Sequence, residues 1–200
     1  MPKASKLPRP LIEKEKELEV AGELRQLLFE NGSFLEKAII QALELLGFQA
    51  NSYHDSTSQF DVLFSCPEGR FLGEAEGKDS KPINIDKFRQ LQSNLLEELE
   101  KAVEGSVMAK GVLFGNAFRL LPLAERGDYF TQKCLTAAQQ THVALVKTTD
   151  LFKVVKYLSE YKDSGYASDC RKAIFNSNGL VQFPIPPPLE VNQNPVNESA

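Results

Sequence analysis

Charged side chains interrupt a stretch that otherwise has the pattern of a β-hairpin, FDVLFSCPEGRFLGEAEGKD. Asp61 lies in the first predicted strand, and Glu74, Glu76 and Lys78 lie in the second. Strands carry few such residues. Carboxylates beside an amine are the groups that hold a divalent cation and act on a phosphate ester. The alternative is a solvated acidic face, which is the commoner meaning of alternating charges on a hairpin.

The register of this hairpin decides which carboxylates meet. Side chains alternate across a strand, so Asp61 and Glu76 share one face when the apolar faces of both strands coincide. A two-residue loop at 68–69 puts Asp61 opposite Glu76, with Cβ atoms about 5 Å apart. A three-residue loop with a bulge puts Asp61 opposite Ala75 instead. The local sequence Pro-Glu-Gly favours the second loop. The side-chain pattern favours the first, or a further bulge that restores parity, and it predicts an opposite, apolar face made of Phe60, Val62, Phe64 and Cys66.

Opposed carboxylates repel each other, and a cation relieves the repulsion. Oxygens of Asp61 and Glu76 suit Mg²⁺, or Mn²⁺ in its place, because Mg²⁺ takes oxygen ligands and keeps several waters. Lys78 lies on the same face, about 7 Å along the strand from Glu76. Its ammonium could position a water or stabilise charge on a phosphate. Glu74 shares this face and is a spare carboxylate that could enter the ligand set.

Hydrophobic periodicity supplies the elements that must position these residues. The order is α-α-β-β-β-α-β-α-β-α, followed by a short helix and a last short strand. This predicts an α/β fold, in which a mixed central sheet (an antiparallel hairpin plus parallel strands) is flanked by helices. Predicted helices cover 11–29, 33–46, 82–103, 122–140, 149–161 and 169–175, and predicted strands cover 49–53, 59–76 (the hairpin), 109–116, 142–148 and 180–183.

The 200 residues suit one domain. Residues 1–10 and 184–200 are predicted to be disordered tails, because they are rich in Pro with Lys or Asn. Residues 11–32 form a predicted N-terminal helix, and 33–183 form the α/β domain. No apolar run approaches the roughly 20 residues of a membrane span, and the N-terminus lacks the apolar segment of a secretory signal.

The net charge and the cysteine positions exclude further classes of protein. A formal net charge of −4 argues against a protein that coats nucleic acid by charge alone, although it permits a local basic surface. Cys66, Cys134 and Cys170 are far apart and form neither a metal-ligand spacing nor a disulfide framework. A reducing cytoplasm is therefore the expected compartment.

In the order and spacing of Asp61 and Glu76-Gly77-Lys78, the chain resembles the PD-(D/E)XK nuclease superfamily, whose fold is restriction-endonuclease-like. That family's pattern is an Asp on the second strand and (Asp/Glu)-x-Lys on the third, and Phe60 stands where its Pro would be. The resemblance covers about 33–158 and is closest to the RecB-like and Mrr-like branches, especially uncharacterised bacterial domains. It implies metal-dependent hydrolysis of DNA phosphodiester bonds, with Asp61 and Glu76 as ligands and Lys78 positioning water.

The resemblance extends to two helical residues. Glu36 lies where many members place a Glu that joins the metal shell, although it also fits a capping box with Ser33. The segment after the motif selects Gln90 by similarity to the RecB-like branch. The helical wheel instead places Gln92 on the apolar face, so the two indications disagree.

The segment GNAFRLLPLAER follows a predicted buried strand and contains candidate substrate-binding residues. Asn116, Arg119 and Arg126 could contact phosphate or sugar, since such contacts position a protein on nucleic acid. The alternative is a plain turn whose arginines pair with acids.

Two functions compete. The first is the nuclease, with DNA as partner; the resemblance also allows a homodimer, because related nucleases often pair subunits to cut two strands. The second is a catalytically inactive nuclease-fold module that binds protein or nucleic acid, with its charged N-terminal helix as the contact. The acidic net charge favours the module, and the complete set of Asp61, Glu76 and Lys78 favours the nuclease.

Overall fold

A computed structural model describes residues 14, 21–54, 59–101 and 108–188. The helices are α1 (Gln26–Phe29), α2 (Gly32–Leu45), α3 (Ile85–Lys101), α4 (Gln132–Gln140), α5 (Thr148–Tyr161) and α6 (Ser164–Asn176), with a 3₁₀ turn at Leu123–Glu125. The strands are β1 (Gln49–His54), β2 (Gln59–Cys66), β3 (Gly69–Gly77), β4 (Lys110–Asn116), β5 (Ala144–Lys147) and β6 (Gly179–Leu180). Within the described ranges, no helix combines the length and apolar character needed to cross a membrane.

The six strands form one sheet in the order β1-β2-β3-β4-β5-β6. Strands β1 to β3 pair antiparallel, and β3 to β6 pair parallel. The predicted mixed sheet with flanking helices is thus confirmed. The helix predicted over 122–140 is wrong in its first half, where only the 3₁₀ turn forms, and the predicted tail at 1–10 lies outside the described residues.

Each face of the sheet has its own core. On one face, the stacked rings of Phe64 and Phe71, 4.9 Å apart, join Phe114 under α2, α5 and α6. On the other face, Leu113 packs with Phe88 of α3 and with residues of α4. The alternation of apolar residues along β4, which sends neighbouring side chains to opposite faces, therefore positions helices on both sides.

The hairpin register differs from the predicted one. Phe64 pairs with Phe71, and Cys66 pairs with Gly69, so the loop is Pro67-Glu68. Extending this register places Asp61 opposite Glu74, and the prediction that Asp61 faces Glu76 is wrong. The slip is two residues, which keeps every side chain on its predicted face of the hairpin ladder, because the apolar pattern constrains only parity.

A bulge in β2 explains a second difference. Asn51 pairs with Leu63, whereas Tyr53 pairs with Phe60, so β2 has one more residue than β1 between these pairs. Phe60 accordingly packs with Leu72 rather than with Phe64, and its predicted place on the Phe64 face is wrong. The extra residue lies next to Asp61, at the end of the β2–β3 ladder.

The hairpin loop is tied to α6 by an ion pair. Arg171 donates from Nε to Glu68 Oε2 at 3.1 Å, and from Nη1 to the Leu46 carbonyl after α2 at 2.7 Å. Hydrogen bonds from Arg171 are the main cause that lowers the pKa of Glu68 from 4.5 to about 2. One guanidinium therefore joins three separate elements.

Glu68→Gln should lower the free energy of unfolding at pH 7 by about 1–2 kcal/mol, because the variant loses the ionic part of this contact. The pKa of Glu68 is depressed in the folded state, so its contribution exists above pH 4.5 and is lost as pH falls towards about 2. Urea unfolding of both proteins across this range would measure the effect. Asp169→Asn, which alters an exposed pair with Lys172 on α6, is the control. If the difference in unfolding free energy between the two proteins stayed the same near pH 2, the lowered pKa of Glu68 would be contradicted.

Candidate active site

Two carboxylates from neighbouring strands converge on one ammonium group. Asp61 lies on β2, Glu74 lies on β3, and Lys87 extends from α3 above them. Lys87 Nζ is 2.6 Å from Glu74 Oε2 and 3.2 Å from Asp61 Oδ2. The two acids thus face a common point at which a cation is stabilised.

Backbone pairing holds Asp61 in place. Its Oδ2 accepts a hydrogen bond from the Ala75 amide at 2.8 Å. The last paired residues of the β2–β3 ladder are Val62 and Gly73, so Ala75 lies beyond the ladder and its amide is bound by the side chain instead. The Asp61 carboxylate therefore accepts the hydrogen bond that a backbone carbonyl of a neighbouring strand would otherwise accept, and this bond fixes the position of the carboxylate on the sheet.

Glu74 is the most deeply buried charged group of the described residues, with 0% of its surface exposed. Asn94 Nδ2 donates to Glu74 Oε1 at 2.6 Å. Oε2 receives no hydrogen bond of good geometry, although the Lys87 ammonium lies beside it. A buried carboxylate needs such compensation, because leaving water costs a charged group several kcal/mol.

These partners form one stripe along α3. Lys87, Asn94 and Glu98 are seven and four residues apart, which places them on the same side of a helix. Lys87 and Asn94 reach Glu74, and Glu98 forms an ion pair with Arg70 near the start of β3. The contacts run in opposite directions along the two elements, so α3 lies antiparallel to β3 and is held in register by polar groups.

The environment shifts the protonation of this cluster. Burial, followed by the nearby charge of Asp61, raises the pKa of Glu74 to about 7. Burial alone would lower the pKa of Lys87, yet its close contact with the Glu74 carboxylate, together with the charge of Asp61, raises this pKa above its usual value. Perturbed groups of this kind cluster at functional sites.

The predicted ligand set is not assembled in the same way. Glu76 follows Glu74 on the same face of β3, and Lys78 comes directly after the strand. The two form an ion pair with each other and remain partly exposed. Among the ranges described, no three His, Cys, Asp or Glu side chains form a group able to hold a metal ion. Glu36, Asp61 and Glu76 are therefore not gathered into one site. Glu36 lies on α2, whose Leu35 packs into the core of the opposite sheet face.

Gln90 does not join the cluster either. It is exposed on α3, whereas its neighbours Phe88 and Leu91 are buried against the sheet. The helical wheel, which directed Gln90 away from the apolar face, describes this position better than similarity to the RecB-like branch does.

The three predicted substrate contacts bind the end of α1 instead. Asn116 Nδ2 donates to the Glu30 carbonyl at 2.8 Å, and Arg119 Nη1 donates to the Phe29 carbonyl at 2.7 Å. Arg126 Nη2 donates to the Leu28 carbonyl at 2.7 Å. The last carbonyls of a helix have no partner within it, and cations are favoured there, so these residues cap α1 from a distant part of the chain.

Arg126 has no donor left for a substrate. A guanidinium offers five N–H groups. Nε binds the Leu121 carbonyl, and Nη1 binds both Asn116 Oδ1 and the Tyr129 hydroxyl. Nη2 binds two further carbonyls, those of Leu28 and Arg119. The geometry thus gives Arg126 a structural role.

Sequence reasoning missed Lys87 and Asn94 as members of the site. The available signal was Asn94, a polar residue within the buried stripe that Phe88 and Leu91 begin on α3. A polar group on an inward helical face implies a buried partner, because burying it without one is costly. That partner is Glu74, which the sequence marked only as a spare carboxylate.

No protein-family model matches this sequence, and no curated protein matches it. Among solved structures, the fold is similar to that of restriction endonuclease FokI, with a TM-score of 0.52 and 13% sequence identity. The match covers 90% of this chain and 32% of that protein, so the chain spans about a third of its length. At this identity the similarity establishes the fold alone, which is restriction-endonuclease-like.

Arg126→Met should lower the free energy of unfolding by on the order of 3 kcal/mol, because it leaves several buried acceptors without donors. Chemical denaturation would measure the loss. Arg89→Met, which removes an exposed arginine paired with Asp86 on α3, is the control and should change stability little. A stable Arg126 variant with weakened DNA binding would instead support the substrate role predicted from sequence.

Glu74→Gln should gain stability relative to the natural chain as pH rises. The pKa of Glu74 is raised in the folded state, so its favourable contribution is complete below pH 4.5 and is lost as pH rises through about 7. Between these limits the difference in unfolding free energy should change by on the order of 2 kcal/mol in favour of the variant. Denaturation at a series of pH values measures this, with the exposed Glu100→Gln as control. A difference independent of pH would refute the raised pKa.

Proposed function

We propose that this protein is a metal-dependent phosphodiesterase that cleaves DNA, with its reaction centre at Asp61, Glu74 and Lys87. The observation that carries the proposal is the convergence of two carboxylates from neighbouring strands on one cationic group. The fold supports it, because the similar solved structure is that of a restriction endonuclease.

Asp61 and Glu74 supply oxygen ligands of the kind that Mg²⁺ and Mn²⁺ take. The Lys87 ammonium already occupies the point that both carboxylates face, 3.2 Å from Asp61 and 2.6 Å from Glu74, so an ion would bind there only once this ammonium had moved aside. Mg²⁺ sites in phosphate-processing enzymes commonly use one or two carboxylates and complete the shell with substrate phosphate and water. When bound, such an ion lowers the pKa of a water and offsets charge on the phosphate. Two carboxylates alone suggest weak ion binding until DNA arrives.

The side chains of the site divide the remaining work. Asp61 and Glu74 would bind the cation, and the Ala75 amide and Asn94 hold the two carboxylates in position. Lys87, held beside both acids, would stabilise the negative charge that develops on the phosphate. Burial of Glu74 strengthens these interactions, since charges act more strongly where water is excluded.

Glu76 and Lys78 retain a place in the proposal. They are partly exposed and lie beyond Glu74, with Glu76 on the same face of β3 and Lys78 directly after the strand. From there Lys78 could position the attacking water, and Glu76 could complete the ion's shell through a water. Gln90 is left out, because it is exposed on α3. Glu36 stays a prediction of the sequence, on a helix whose Leu35 packs in the core of the opposite sheet face.

The competing function is a catalytically inactive module that binds protein or nucleic acid. One observation favours it: Lys87 already neutralises a fully buried Glu74, as an internal ion pair would. Arg126, whose donors are all engaged within the protein, is also lost from the basic contacts that sequence predicted for DNA.

Incubation of supercoiled DNA with Mg²⁺ or Mn²⁺ separates the two functions. The natural chain should cut, and Glu74→Gln and Lys87→Met should each cut on the order of 100-fold more slowly, because each loses a group that acts on the reacting phosphate. Lys172→Met, which removes an exposed lysine of α6 paired with Asp169, is the matched lysine control and should cut at the natural rate. Chelation of the metal should abolish cleavage by every variant.

The products and the variant pattern give the contrary outcomes. Nicked circles would indicate that single copies act, and linear product would indicate that two copies pair, as in a homodimer. No cleavage by the natural chain under any metal would favour the inactive module. If Lys78→Ala abolishes cutting and Lys87→Met does not, the centre is at Glu76 and Lys78 instead.

A further inference from the structure

We infer that an apolar groove at the start of β4 binds a small organic anion, in which a single carboxylate is attached to an apolar chain of medium length. The groove lies along the C-terminal half of α3 and reaches the loop between α4 and β5 and the end of α6. It shares no residue with the cluster of Asp61, Glu74 and Lys87. The inference therefore goes beyond the proposed function and does not rest on it.

The groove has the size and the lining of a small-molecule site. Its volume is 440 Å³, and such sites usually measure about 300–1,000 Å³. Most of its lining is aliphatic or aromatic, and four of these large side chains are exposed to solvent: Leu96, Leu99, Met108 and Phe175. A ligand with an apolar body is favoured there, because it removes this surface from water.

Lys110 gives the groove a positive charge that lacks a matching negative one. No Asp or Glu belongs to the lining, and within the described ranges Lys110 forms no ion pair. Burial alone accounts for the lowered pKa of Lys110. Lys87, which is also buried, has two carboxylates beside it and a raised pKa. A half-buried ammonium without such a partner is stabilised by an anion that binds next to it.

The polar residues of the lining indicate one negative charge in the ligand. Lys110 is the only Lys or Arg among them, so a second charge on the ligand would have no counterpart. His142, in a left-handed backbone conformation after α4, and Asn178 add side chains that can donate hydrogen bonds. A carboxylate can accept several hydrogen bonds at once, and it carries a single charge.

Methionine methyl NMR of the full chain tests this binding. The chain has two methionines, Met1 and Met108, and Met108 lines the groove. The probe is octanoate, titrated below its micelle-forming concentration. The methyl signal of Met108, assigned with Met108→Leu, should shift and reach saturation. Octanol, which has the same chain length without the charge, should bind on the order of tenfold more weakly. Hexanoate should also bind more weakly, by about two- to fourfold for each CH₂ group removed.

Two variants test the charge. Lys110→Gln removes it and should make the affinities for octanoate and octanol about equal. Lys153→Gln, which removes an exposed lysine of α5 paired with Asp150, is the matched control and should keep the natural preference. Leu96→Glu adds a carboxylate at an exposed position of the lining and should weaken octanoate more than octanol. It replaces Lys110→Gln if that variant fails to fold by circular dichroism.

Three results would overturn the inference. The first is a Met108 signal that octanoate does not shift to saturation. The second is equal affinity of the natural chain for octanoate and octanol, or a preference that Lys110→Gln retains. The third is a Met108 signal that moves with protein concentration alone, because a second copy of the chain would then cover the groove. DNA cleavage plays no part in these measurements, so failure of the proposed nuclease function would leave their result unchanged.

Discussion

The burial of the Glu74 carboxylate is the constraint on which the rest of the site depends. An ion removed from water must be compensated within the protein, at a cost of several kcal/mol otherwise. The compensation comes from Lys87 and Asn94, both on α3. That helix can therefore take only one register against β3, and the register brings the ammonium over Asp61. A single buried charge thus orders a helix, a strand and the candidate site together.

The fold was largely predictable because its information is local. Alternation along β4 and the apolar stripes of the helices predict a two-faced sheet, and the structure confirms it. The register of the hairpin was less accessible, because apolar parity fixes a face but leaves slips of two residues equivalent. The Pro67-Glu68 loop sets this register, and the bulge of β2 against β1 at Asp61 and Val62 separates Phe60 from Phe64. Neither feature has a distinctive sequence pattern.

The acidic residues of the site could be predicted from the sequence, but the residues that contact them could not. The same-face rule brings Asp61 together with Glu74 and Glu76, but it does not say which pair becomes buried. Lys87 enters from a different element, so its role depends on how α3 is placed. For the arginines of the loop after β4, the sequence predicted a role in the site that the structure does not give them. An arginine side chain suggests phosphate binding. In the fold, however, Arg119 and Arg126 donate hydrogen bonds to backbone carbonyls that are 90 and 98 residues away in sequence.

The cap that Arg126 places on α1 has a consequence for how this fold can be recombined. The guanidinium belongs to the segment between β4 and α4, and its carbonyl acceptor at Leu28 precedes the first strand. If a domain boundary were placed between α1 and the sheet, it would break the hydrogen bonds that Arg126 donates to α1, because these two parts are packed together and are not joined by a free linker. Transfer of this domain into another protein would therefore have to include its leading helix, and any module joined in front of that helix would be mechanically coupled to the sheet.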